Sequence, residues 1–123
     1  MNLEITEKNG VKLAHVTNDT VVVKDMWSAL DLVIIVRGKA GVKNFTISKD
    51  LIAPELFDRA TGFAEKIQAK LQKFGMRCAI WGDFSEYKDQ AFIDFMDTCN
   101  TGDTLFFVPD RETGAERLSI SLL

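Results

Sequence analysis

The stretch that most constrains this chain is Phe57–Gly82, FDRATGFAEKIQAKLQKFGMRCAIWG, in which the clearest helix of the sequence runs directly into its clearest buried strand. Ala60, Phe63, Ala64, Ile67, Leu71 and Phe74 recur at intervals of three and four, while Asp58, Arg59, Glu65, Lys66, Lys70 and Lys73 mostly take the other faces. Gly75 ends the periodic run, and Met76–Trp81 follows as a short, mostly apolar segment. The pair reads as a helix laid across a sheet and feeding its central strand.

The rest of the chain supplies further layers of the same kind. Asn2–Lys8 and Val11–Val16 flank Asn9-Gly10, which predicts a two-residue hairpin with Leu3 and Ile5 of one strand and Val11, Leu13 and His15 of the other as candidates for one dry face, His15 otherwise reading as an exposed or half-buried strand residue. Val21–Val23 is a very short strand or the run into a helix. Asp25 caps a helix to about Arg37, with Met26, Leu30, Val33 and Ile34 on one side and Trp27, Leu32, Ile35 and Val36 widening the apolar surface. Val42–Ser48 is a strand, and Pro54 with Glu55 suits the first turn of a short helix or bend. A helix follows over about Glu86–Cys99, then a strand over Thr104–Val108, then a short helix over Arg111–Leu118 capped by Asp110. The tail Ser119–Leu123 alternates Ile120 and Leu122, a pattern suited to a sheet edge.

This order predicts an α/β fold: a single domain over residues 1–123 with a mixed β-sheet, an N-terminal hairpin and crossover helices. Strands Val42–Ser48, Met76–Trp81 and Thr104–Val108 are expected to run parallel. Loops at their carboxyl ends are then the place to look for chemistry.

Composition narrows the function classes. A 123-residue chain with 46% hydrophobic and 27% charged residues has the balance of one globular domain. A net charge of -3 argues against nucleic acid and anionic membranes as partners, and no run is long enough to span a bilayer. Cys78 and Cys99 lack metal-ligand spacing and read as reduced, which places the chain in the cytoplasm.

Two sets of residues are candidates for function. Asp50, Asp83 with Ser85, and Asp110 stand at the ends of the parallel strands, where hard carboxylate oxygens could hold Mg²⁺ or place a phosphoryl acceptor near it, the alternative reading being a small metal- or phosphate-compound-binding enzyme; each also reads as a local cap or turn. The second set is Asp58, Arg59, Thr61 and Gly62 at the start of the central helix, with Thr61 a candidate for phosphorylation or anion binding. There is no glycine-rich phosphate loop, no cofactor motif and no metal motif, and His15 has no nearby serine or cysteine for a triad. Phe57, Phe84, Tyr87 and Trp27, near element ends, could join the apolar first helix in a surface for a protein partner or a homodimer.

The segments APELFDRATGFAEKIQAKLQKF, RCAIWGDFSEY, FIDFMDTCNTGDTLFFV and SALDLV resemble the uncharacterised bacterial family of domains of unknown function numbered 4180. More distantly, the layout resembles the STAS domain of sulfate transporters and anti-sigma-factor antagonists. Asp58-Arg59-Ala60-Thr61-Gly62 stands roughly where that family has its D-S-S-G segment, and ETGAERL over Glu112–Leu118 is similar to its last helix. The resemblance implies a small regulatory or protein-interaction domain, with Thr61 matching a phosphorylatable serine and the adjoining helix face matching the partner surface. Here the segment has one added residue and threonine for serine.

Overall fold

The computed structural model describes residues 1–120, apart from the side chains of Lys39, Ala40 and Arg59. Five strands form one mixed sheet in sequence order: β1 (Asn2–Lys8), β2 (Val11–Thr17), β3 (Asn44–Ser48), β4 (Arg77–Trp81) and β5 (Leu105–Val108). The β1–β2 hairpin is antiparallel, turning at Asn9 and Gly10 with φ of 52° and 79°. From β2 onward every pairing is parallel. Right-handed crossovers that advance the sheet one strand at a time leave their helices on one face. Accordingly α1 (Met26–Ile35), α2 (Phe63–Phe74) and α3 (Gln90–Asn100) pack together over Val16, Phe45, Ile47, Cys78, Ile80 and Phe107.

The opposite face is closed by α4 (Arg111–Leu118), whose Ala115 and Leu118 pack on Leu13, Ala79, Phe106 and Val108. Gly114 permits this close approach. A Cβ there would stand 3.1 Å from Ala79 Cβ and 3.3 Å from Val108 Cγ2, closer than packed carbons sit. Because both faces are covered, Leu13–Val16 is buried without interruption, and the single dry face expected of the hairpin is found on neither strand: Ile5 is exposed.

Capping places the helix starts. Asp25 and Ser28 form a reciprocal capping box on α1, and Asp110 accepts from the Thr113 amide at 2.7 Å. The inward face of α1 is Ala29, Leu32, Val33 and Val36, so Ile34 points outward, against the expected grouping, while Trp27 is exposed as its place near an element end suggests. After Ile35 the helix widens into a π turn over Val36–Ala40. Helix α3 begins at Gln90 rather than Glu86, because Asp89 supplies its cap and residues 86–88 belong to the preceding loop. Val23 makes one parallel bridge to Ile52. The sheet-edge role expected of Ile120 and Leu122 turns on residues 121–123, which lie outside the described residues.

Candidate functional site

Sequence places one candidate set at the start of α2, and the structure moves its boundary. The helix starts at Phe63; Pro54–Phe57 and Arg59–Thr61 are separate 3-10 turns. Thr61 therefore stands ahead of the helix rather than within its first turns. Asp58 Oδ1 accepts from the Ala60 amide at 2.9 Å, and the Asp58 carbonyl accepts from Thr61 Oγ1 at 2.8 Å. Thr61 Oγ1 in turn accepts from the Phe63 amide at 3.2 Å, meeting one of the donors that a helix start leaves open. Gly62 is the N-cap, with φ of 65°, a left-handed conformation that a side chain would strain. Its use is conformational, and a Cβ there would meet little beyond the end of Lys66. The Arg59 side chain lies outside the described residues.

The strand-end aspartates each serve their own loop. Asp83 Oδ1 accepts from the Ser85 amide at 2.9 Å, and hydrogen bonds from the Ser85 side chain and backbone hold its carboxyl below the usual range. Asp110 is lowered in the same way by Thr113. Asp50 is exposed, and its amide donates to Ser48 Oγ at 3.1 Å. Among the described residues no group of three His, Cys, Asp or Glu stands close enough to hold a metal ion, so these three do not converge.

What the fold does bring together is Asp58 and the loop after β4. A groove of about 300 Å³ opens at the carboxyl ends of β3 and β4, with Phe57 and Phe92 as its apolar wall and Asp58, Glu86, Tyr87 and Asp89 around it. Phe57 is buried, contrary to the expected exposure, and Phe84 and Tyr87 are half-buried. Their rings interlock: Tyr87 meets Phe92 edge-on at 5.2 Å and Phe57 at 5.7 Å, and Phe84 meets Phe107 at 5.4 Å.

Lys49 pins this loop from the end of β3. Its ammonium donates to the Asp83 carbonyl and to Glu86, and lies 5.3 Å from the Tyr87 ring centroid and 5.6 Å from that of Phe84. Only 15% of its side chain is exposed. Burial alone would lower its pKa, but the Glu86 hydrogen bond and the charges of Tyr87, Glu86 and Asp83 outweigh it and raise the value. Sequence reading missed Lys49, since a lysine following a strand carries no signal until its partners, more than thirty residues later, are placed.

Of the two readings of His15 the structure has the dry one: it is buried, with 3% exposure, between Thr6 and Thr46. Cys78 and Cys99 are buried thiols, and burial pushes the Cys78 thiol far up. No helix among the described residues is long and apolar enough to cross a membrane.

The model of one family, described as a domain of unknown function (DUF4180), matches residues 8–118. No curated protein and no solved structure matches the chain.

Proposed function

This chain belongs to the DUF4180 family, whose description assigns no activity, and we propose that it is a small regulatory protein-interaction domain of STAS-like design that docks a partner in the strand-end groove. One observation carries the reading: Asp58, from the turn ahead of α2, and Glu86–Asp89, from the loop after β4, share one groove over an aromatic wall. The site lies where open α/β sheets present ligands, beyond the carboxyl ends of parallel strands.

Its chemistry favours a basic partner segment. Asp58, Glu86 and Asp89 outnumber Lys88 in the lining, and Lys49 already satisfies Glu86 from below. Asp58 Oδ1 and Asp89 Oδ1 each hold a local amide, and among the described residues their second oxygens are left for an arriving cation. Tyr87 gives such a segment a surface for its aliphatic stem.

Thr61 is the proposed switch. It is exposed and one hydrogen bond from Asp58. A phosphate there would add charge beside an already acidic groove and strengthen docking of a basic segment, while its oxygens could take over the amide of Phe63. The test is native capture with wild type, Thr61→Glu and Tyr87→Ala, read by mass spectrometry. A protein retained more strongly by Thr61→Glu and lost with Tyr87→Ala supports the reading. Identical recoveries on all three would end it.

A further inference from the structure

The two edges of the sheet are finished differently. The outer side of β5, a strand of four residues, is closed by the Asn100 side chain, which bonds both main-chain groups of Phe107. At the other edge β1 has seven residues, no proline and no bulge in its register against β2. Among the described residues nothing bonds to the outward backbone of its Leu3, Ile5 and Glu7. A long, regular edge of this kind is a template for another strand, and chains that stay apart blunt it with proline, a bulge, a central lysine or a covering segment.

The hairpin fixes which groups face outward. Its two-residue turn, with both central residues at positive φ, makes Lys8 and Val11 a hydrogen-bonded pair, and the alternation of an antiparallel ladder then bonds Thr6 to Leu13 and Glu4 to His15. Leu3, Ile5 and Glu7 fall between these pairs and turn both N–H and C=O away from β2. Their side chains share the face covered by α1, α2 and α3, where Leu3 packs at the margin of the core and Ile5 is 47% exposed.

We propose that β1 is the interface of a homodimer, pairing antiparallel with β1 of a second copy about a two-fold axis at Ile5. In that register the strand complements itself. Ile5 meets Ile5 of the second copy, Leu3 meets Glu7, and every outward N–H and C=O of these residues finds a partner. The exposed Ile5 side chains cover one another on the helix face. On the opposite face Glu4 stands beside Thr6 of the second copy, with its Lys8 on the diagonal, within reach of a long side chain. Other registers fit less well. Moving the axis to Glu4 sets that carboxylate against its own copy. Moving it to Thr6 pairs Glu4 with Lys8 but sets Ile5 against Glu7 and leaves Leu3 outside the ladder. An unrelated strand would find the hydrogen bonds without this match of side chains, so the occupant is a second copy. β1 contributes nothing to the strand-end groove, and the pairing is independent of docking there.

The test is sedimentation equilibrium from about 1 μM to about 1 mM, with hydrogen exchange read at the β1 amides. The expected result is a dimer in which the Leu3, Ile5 and Glu7 amides are protected and lose that protection on dilution. Those of Glu4, Thr6 and Lys8, bonded to β2, should not change. Ile5→Lys, at an exposed position, sets like charges face to face at the axis and should raise the dimer dissociation constant at least about tenfold, a change of about 1.4 kcal/mol. Ile5→Pro removes an N–H that points away from β2, so it should weaken the dimer while the hairpin keeps its ladder. A monomer throughout the concentration range would overturn the proposal. So would a dimer that forms as readily with either variant, or one whose Leu3, Ile5 and Glu7 amides exchange as fast as in the monomer.

Discussion

His15 and Thr46 are direct partners in the parallel β2–β3 register, and the 2.6 Å bond between Nδ1 and Oγ1 joins their side chains under α4. A neutral imidazole in that position makes stability depend on pH in a definite direction. The folded-state pKa lies below the ordinary value of 6.5, chiefly through burial, so the unfolded chain binds the proton more readily. This contribution to stability is complete above about pH 6.5 and declines as pH falls toward the folded value. Glu4 and Glu112, which raise the value, moderate the effect. Urea unfolding of wild type and His15→Gln across this range should show the slope in the first and its loss in the second. The lowered carboxyls of Asp25, Asp83 and Asp110 act in a separate window, below 3.8, where stability is lost as pH falls through their folded values.

Removing the hydroxyl of Thr46 tests the same bond. Thr46→Val keeps the shape but leaves Nδ1 without a donor in a buried position, at a cost of about 1–3 kcal/mol. Chemical denaturation should show this loss.

Gly114 should be intolerant of a side chain although it lies in a helix. Gly114→Val would press on Ala79 and Val108 and lift α4 from the sheet, costing about 1–3 kcal/mol. Gly38→Ala has open space around it and should be neutral or gain up to about 1 kcal/mol. Thermal melts of the two variants should move apart.

Asn100 seals the outer edge of β5 by imitating a strand. Its amide accepts from the Phe107 N–H at 2.8 Å and donates to the Phe107 carbonyl at 3.0 Å. Asn100→Ala should cost about 1–2 kcal/mol and free an edge for pairing with another chain, which light scattering at rising concentration would detect.

Much of this architecture can be read from local chemistry. The Asn9-Gly10 turn, the caps at Asp25 and Asp110 and the short strands all follow from residues within a few positions of one another. The start of α2 does not, because Ala60 falls on the same three-and-four spacing as Phe63 and Ala64, while the side chains of Asp58 and Thr61 spend themselves on a tighter turn. The partners of His15 and Lys49 escape notice for a different reason. What defines each is a partner set by strand register or by a distant loop, and one sequence gives no distances across a sheet. Asp50, Asp83 and Asp110 illustrate the converse, since position at strand ends is legible while convergence is not.

The groove is the centre of the functional account, and its dependence on Lys49 can be separated from folding. Lys49→Met keeps the aliphatic stem but drops the bonds to Asp83 and Glu86, each hydrogen bond to a charged group being worth about 1.5–3 kcal/mol. Hydrogen exchange should quicken in residues 83–89 by about tenfold or more, with little change in β3 and β4.

The most direct measurement is native capture by wild type, Thr61→Glu and Tyr87→Ala in parallel, with bound proteins quantified by mass spectrometry. A partner enriched by the added charge and lost with the Tyr87 ring is the expected result. A partner profile indifferent to both substitutions would contradict docking in this groove.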